Sequence, residues 1–332
     1  MLSETDLALI EALQVQPRAS WARVAEATGV DATTAARRWR RLSGQGLAWL
    51  TAYPLQRDFT VGYLDLACDP ERLEEITDTL CGWSYVFHLE RMTGDHQIFL
   101  GVAAADLAAL DALVTARLPG LPGVRSVRAA VGTRIYREGG DWLPHALSSS
   151  QRSRLVTRSA GGPRPAPDAL REDDRPLLRA LGADGRRSCA DLARLCGLSE
   201  TTVRRRLGRM MRSRQLRFRC DVTQPLAGWP VSAAYRIGVP PQELDAAARA
   251  LAALPHTRLC AAVTGTHNLL LLVWLRSPGE CAPFEEQLLR RCPRAEIGRR
   301  ELTLRAAKRM GRLLGADGRA NGHVPLGLWA PG

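Results

Sequence analysis

Lysine is nearly missing from this chain: Lys308 stands alone, and every other one of the 46 basic residues is arginine. Aromatic residues are also scarce, at 5%. No run of eighteen apolar residues occurs, so no membrane span is expected. There is no Gly-Lys dipeptide, which excludes a P-loop, whose lysine must reach the phosphates. Neither G-x-S-x-G nor H-E-x-x-H occurs, so no nucleophile elbow and no zincin helix is present. The eight cysteines (Cys68, Cys81, Cys189, Cys196, Cys220, Cys260, Cys281, Cys292) form no C-x-x-C, and none stands at zinc spacing from a histidine. They read as free, mostly buried thiols in a reducing compartment. The first residues, MLSETDLALIEALQ, lack the basic-then-apolar pattern of a secretory signal. These absences lead us to expect a cytoplasmic protein with no metal, no cofactor, no membrane segment and no catalytic constellation.

What is present is positive charge. The 332 residues carry a formal charge of +12, which favours a polyanionic partner, nucleic acid before anionic membrane. Arginine suits bidentate contacts to phosphate and guanine, although a GC-rich genome would produce the same skew. A hydrophobic share of 45% is enough for several cores.

The chain repeats itself. Residues 2–42 align without a gap on residues 170–210 at an offset of 168, with 16 of 41 positions identical. Among these are Asp6/Asp174, Ser20/Ser188, Gly29/Gly197, Thr33/Thr201, Thr34/Thr202, Arg37/Arg205, Arg38/Arg206 and Arg41/Arg209. Further on, GDHQIFLGV at 94–102 matches GTHNLLLLV at 265–273 at an offset of 171. Two copies of one unit are therefore expected. The reading places a winged helix-turn-helix at 1–55, a sensing domain at 56–138, a largely irregular linker at 139–168, a second winged helix-turn-helix at 169–222, a second sensing domain at 223–310 and a flexible tail at 311–332.

Each first segment predicts three helices. Ser3 with Asp6 makes a capping box, followed by Leu7, Ile10 and Leu13 on one face. Ser20 caps a second helix that Gly29 ends, and Asp31 caps the third; Ser188, Gly197 and Ser199 repeat the scheme. Two short helices joined by a Gly turn, the second rich in Thr and Arg, suit reading of a DNA major groove. The candidate DNA-binding residues are Thr33, Thr34, Arg37, Arg38 and Arg41, and Thr201, Thr202, Arg204, Arg205, Arg206 and Arg209. Copy two is the more basic: residues 199–219 hold eight arginines against four in 31–49. Strands at Leu47–Tyr53 and Leu216–Cys220 are expected to form a wing after each third helix.

Each second segment alternates in the order βαββαβ, a ferredoxin-like pattern, so the fold class is α+β. The two central hairpins carry Thr93-Gly94-Asp95-His96-Gln97 and Thr264-Gly265-Thr266-His267-Asn268. Glycine permits a left-handed turn and leaves amides open to a small carboxylate. Gly94, Asp95, His96, Gln97, Gly265, Thr266, His267 and Asn268 are accordingly the candidate effector residues, with an ordinary polar β-turn as the plain alternative.

Taken together, the Leu-x-x-x-Asp openings, Gly185-Arg186-Arg187-Ser188, Gly197-Leu198-Ser199 and Val263-Thr264-Gly265 resemble the Lrp/AsnC (feast/famine) family of transcriptional regulators, duplicated in one polypeptide, with copy two the closer match. The resemblance implies a helix-turn-helix joined to a ligand-sensing RAM domain, and sensing domains that pair through their sheets into a homo-oligomer of at least two chains. It also implies a small-molecule effector, usually an amino acid, near the hairpin loops. The family's acid three residues after the hairpin glycine is replaced by Gln97 and Asn268, and its Thr/Ser early in the last strand by Ala129 and Arg300. The leading expectation is a non-enzymatic regulator that binds double-stranded DNA. One alternative is an enzyme resembling sirohaem decarboxylases, with His88, Glu90, Arg91 and His96 around a tetrapyrrole; another is a ligand sensor without DNA binding.

Overall fold

The computed structural model describes residues 1–54, 59–156, 171–213 and 215–327, so the expected boundaries at 55/56 and 168/169 lie outside the described residues. In chain order the elements are α1 (Glu4–Val15), α2 (Trp21–Thr28), α3 (Ala32–Gly44), β1 (Ala48–Pro54), β2 (Thr60–Cys68), α4 (Leu73–Gly82), β3 (Val86–Met92), β4 (Ile98–Ala104), α5 (Leu107–Ala112), β5 (Val124–Arg137) and α6 (Ser149–Leu155). Then follow α7 (Arg175–Ala183), α8 (Cys189–Cys196), α9 (Glu200–Arg212), β6 (Leu216–Val222), β7 (Val231–Gly238), α10 (Leu244–Ala252), β8 (Thr257–Val263), β9 (Leu269–Leu275), α11 (Cys281–Arg291), β10 (Glu296–Arg309), β11 (Arg312–Leu314) and β12 (Ala320–His323).

These elements gather by type rather than by copy. One compact unit holds Leu2–Arg57 and Leu143–Thr223, with both helix-turn-helix segments; the other holds Asp58–Trp142 and Gln224–Gly332, with both βαββαβ segments.

In the helical unit the predicted caps form. Ser3 and Asp6 make the capping box of α1, Ser20 and Asp31 cap α2 and α3, and Ser188 and Ser199 cap α8 and α9. Gly29 and Gly197 close α2 and α8 in the left-handed region, at φ 73° and 64°, where a side chain would be strained. Helix α1 departs from its expected single face, since Asp6 and Ala8 through Gln14 are all buried. The reason lies in the segment read as irregular linker. There α6 forms behind its own Ser148–Gln151 capping box and buries Leu147 and Leu155. The fully buried Glu11 of α1 accepts from the amides of Ala146 (2.6 Å) and Leu147 (3.2 Å) and pairs with Arg152 at 2.8 Å.

The strand after each third helix exists, but it makes no wing hairpin within its own copy. Instead β1 and β6 pair antiparallel with each other, in a register that sets Thr51 opposite Arg219, which are repeat equivalents. Arg18 donates to the carbonyls of Gly185 (2.6 Å) and Arg187 (3.0 Å), and its equivalent Arg186 donates to Pro17 (2.7 Å) and Ala19 (3.0 Å). Such reciprocity is the mark of an internal two-fold, the single-chain counterpart of an isologous interface.

The second unit has the same symmetry. Its strands run β10-β3-β4-β2-β5-β8-β9-β7, and β7 pairs again with β10, so these eight close on themselves and leave no free edge. The long last strands make the closure. Residues 124–131 of β5 pair with β2 and 132–137 with β8, while 296–302 of β10 pair with β7 and 303–309 with β3. The closed sheet has two halves: the sheet of β2–β5 packs its outer face on α4 and α5 through Leu64, Leu66, Leu80, Leu89 and Leu100, and the sheet of β7–β10 packs its outer face on α10 and α11 through Tyr235, Ile237, Leu251, Leu271 and Phe284. Between the sheets lie Tyr63, Met92, Phe99, Ala234, Val263, Leu270 and Leu272. Within the segment expected to be a flexible tail, β11 extends the sheet from β10, β12 extends β11, and Leu314 is buried.

Glu90 shows what the intersheet space demands. Only 1% exposed, it accepts from Thr303 at 2.6 Å and faces Arg309 and His88, each at 3.5 Å. Burial pushes its carboxyl up, but His88, Arg309 and Thr303 more than offset this and hold it at about 2. A depressed folded-state pKa means that the stabilisation is complete above the unfolded value, about 4.3, and is lost as pH falls toward 2. Glu90→Gln should therefore cost on the order of 3 kcal/mol at pH 7 and flatten the loss of stability between about pH 5 and 2, as measured by urea unfolding across that range. An unchanged acid limb would contradict this.

Candidate nucleic-acid interface and ligand cleft

Helices α3 and α9 each bury one stripe, Ala35, Trp39 and Leu42 in the first and Val203, Leu207 and Met210 in the second. Opposite these stripes, Thr33, Arg37, Arg40 and Arg41 are exposed in α3, and Thr201, Arg204 and Arg205 in α9; Thr34 and Thr202 are half-buried beside their caps. Arg204 folds back onto Glu200 one turn earlier.

Four of the predicted DNA-binding arginines have a second occupation. Arg38 and Arg41 hold the buried Asp6 carboxylate at 3.1 and 2.9 Å. In copy two Arg209 pairs with Asp174, and Arg206 lies 3.8 Å from it while donating to the Asp173 carbonyl at 2.6 Å. Burial raises the pKa of Asp6, but the Ser3 hydroxyl and Arg41 outweigh it and keep the carboxyl below its ordinary value. Each reading helix is thus clamped to the helix that opens its copy. The clue was already in the sequence, because Asp6/Asp174, Arg38/Arg206 and Arg41/Arg209 are all identical between the copies; α1 was simply not read as buried on its polar side.

The hairpin residues also divide by role. Thr93 and Thr264 bind the opposite copy: the amide of Thr93 donates to Leu302 O and its hydroxyl accepts from Leu302 N, both at 2.9 Å, and Thr264 does the same with Val131. Gln97 accepts from Cys68 N at 2.9 Å, and Asn268 accepts from Val239 N and donates to Val239 O at 2.9 and 2.8 Å. These two amides tie the hairpins to the ends of β2 and β7. Gly94 and Gly265 take the expected left-handed turn, at φ 93° and 109°. His96 is buried, and burial together with Arg128 and Arg299 lowers its pKa. His267 is half-exposed and lies over Gly298, where a Cβ would fall 1.7 Å from Nε2.

Beside the second hairpin is a cleft of about 290 Å³, lined by Tyr63, Asp65, Arg128, Ala130, Arg236, Thr264, Gly265, Thr266, His267 and Arg299 among others. Asp65 holds Arg236 at 2.6 Å and Arg299 at 3.3 Å, and Arg299 also holds Glu301 at 2.5 Å. None of this cluster except His267 and the hairpin backbone was anticipated. The offset of 171 that aligned the hairpins also pairs Asp65 with Arg236, and would have flagged them.

Of the residues cast for tetrapyrrole chemistry, His88 and Glu90 lie together between the sheets, while Arg91 turns to the opposite side of β3 and pairs with Glu74 of α4 at 2.7 Å. Among the described residues no group of three or more His, Cys, Asp or Glu could hold a metal ion, and no helix is long and apolar enough to cross a membrane.

A pair of capped, glycine-turned reading helices joined to paired βαββαβ domains defines a helix-turn-helix protein with a ligand-binding domain. The sequence profile of the AsnC-type helix-turn-helix domain matches residues 2–43 and 172–211, and that of the Lrp/AsnC ligand binding domain matches residues 63–141. The chain is 33% identical over 116 residues to an uncharacterized HTH-type transcriptional regulator of Pyrococcus abyssi, a stretch covering 35% of this chain and 73% of that protein. A Pyrococcus furiosus regulator described in the same words is 32% identical over 116 residues, 35% of this chain and 78% of its own length. The chain belongs to the Lrp/AsnC family of DNA-binding transcriptional regulators, in tandem form. The ligand-binding match falls in copy one, whereas the motifs lead us to expect copy two as the closer match. The fold is similar to that of the siroheme decarboxylase NirDL over 93% of both chains, at a TM-score of 0.59 and 14% identity.

The clamp makes a prediction of its own. Asp174→Ala leaves Arg206 and Arg209 without their buried partner and should destabilise the helical unit by about 3 kcal/mol. Calorimetry should then show a transition several degrees lower. An unshifted transition would mean that these arginines are free to serve DNA alone.

Proposed function

We propose that the protein regulates transcription by binding an operator with two unlike half-sites, one for each copy, and that it does so without catalysing a reaction. The observation that carries this reading is the internal two-fold of the helical unit, which presents α3 and α9 as a non-identical pair. In this reading Thr33, Thr34 and Arg37, and Thr201, Thr202, Arg204 and Arg205, approach base edges early in each helix. Arg38, Arg41, Arg206 and Arg209 hold the helices in register and reach phosphates at their rims. Copy two supplies more of the salt-sensitive affinity, having the more basic helix. A small-molecule effector held near the hairpins of the sensing domains would act by favouring one arrangement of the protein over another. Chains are proposed to assemble further, as a dimer of chains or larger, in the cytoplasm.

The test is anisotropy on the DNA upstream of the protein's own gene, across a salt series. Specific binding should fall steeply with salt. Arg205→Ala should weaken it by about 5- to 100-fold, with relaxed sequence preference at one half-site; Arg37→Ala should do so at the other. Absence of specific retention at about 150 mM salt, or equal effects of both variants on both half-sites, would overturn the reading.

A further inference from the structure

The two hairpins are repeat equivalents, yet only the second opens onto the cleft described above. Strand register explains why. In the first sheet Tyr63 pairs with Ala130 and Asp65 with Arg128; in the second Ala234 pairs with Glu301 and Arg236 with Arg299. Glu301 and Ala130 therefore occupy the same place in the two copies. At the first hairpin Glu301 puts a carboxylate against Gly94, whose Cβ, if it had one, would meet Oε1 at 3.3 Å. At the second hairpin the corresponding residue is Ala130, nothing lies within 4 Å of the equivalent point on Gly265, and the cleft is open.

The walls of the open cleft are cationic. Arg236 and Arg299 share Asp65, whereas Arg128 has no acidic partner among the described residues. Arg236 is more than nine-tenths buried, and its Nη1 has no hydrogen-bond partner. The amides of Gly265 and Thr266 donate to no protein acceptor among the described residues. The single acid in the lining, Asp65, is already held by two guanidiniums, so the lining offers no free carboxylate to pair with an ammonium group. Unmet donors and an uncompensated positive charge call for an anion.

We infer that each chain binds one small carboxylate, lacking an ammonium group, in the cleft at Thr264–His267, and that Glu301 occupies the equivalent place at Thr93–His96 as a built-in carboxylate. This rests on the effector reading and narrows it in both ligand class and stoichiometry. Arg128 is the recognition residue, with the Gly265 and Thr266 amides completing the cradle.

Isothermal titration of the full chain with succinate and 2-oxoglutarate, against L-leucine and inorganic phosphate, tests it. We expect one dicarboxylate or oxo-acid per chain, bound at least tenfold more weakly by Arg128→Gln and by Ala130→Glu, which installs in the second cleft the carboxylate already present in the first. Glu301→Ala should raise the stoichiometry to two. Tight L-leucine binding at two per chain, unaffected by Ala130→Glu, would keep the effector reading and overturn the carboxylate assignment. A preference for phosphate would also overturn it. No saturable binding of any of the four would overturn both.

Discussion

Arg236 and Asp65 meet at 2.6 Å between the two sheets, each about nine-tenths buried, and they are the same position of the repeat. In an isologous dimer of identical domains, a residue on or near the two-fold faces itself. Copy two paired with a second copy two would set Arg236 against Arg236, and copy one with copy one would set Asp65 against Asp65. Uncompensated charges at that depth cost several kcal/mol each. The closed eight-stranded sheet thus depends on the two halves being different at this point.

The same complementarity runs through the interface. Tyr63 stands where copy two has Ala234, and Leu272 where copy one has Gly101, so bulk on one side answers its absence on the other. Gly101 has no room for more, because a Cβ there would lie 2.6 Å from Phe87. In the helical unit Arg219 meets Thr51 rather than a second arginine, and turns to Asp221 at 2.7 Å. A tandem chain can fix such differences, which a homodimer cannot. The inequality of the reading helices and of the hairpin clefts follows from the same freedom.

Much of this was legible in the sequence because local rules decided it. Caps at Ser3, Ser20, Asp31, Ser188 and Ser199, stops at Gly29 and Gly197, and the βαββαβ alternation all depend on residues a few places apart. What periodicity could not supply was partnership at a distance. Nothing around Leu47–Tyr53 says that its strand partner lies 168 residues on, and nothing near Ser148 says that Glu11 will anchor the segment. Gln97 and Asn268 gave no sign of their backbone partners, the amide of Cys68 and the amide and carbonyl of Val239, because the ends of other strands carry no side-chain signature. The arginines of α3 and α9 looked uniformly available because Asp6 was read as a cap, and neither it nor Asp174 as a counterion.

The claim that the two halves are built to fit each other and not themselves is tested most directly by charge reversal at its centre. Urea unfolding of Arg236→Asp, Asp65→Arg and the double reversal, at one pH and salt concentration, closes a mutant cycle. Each single reversal should destabilise the protein by several kcal/mol, and the double should recover most of that loss, giving a coupling energy above about 2 kcal/mol. Additive losses, with a coupling near zero, would show that the pair merely sits at the interface and does not decide which halves can meet.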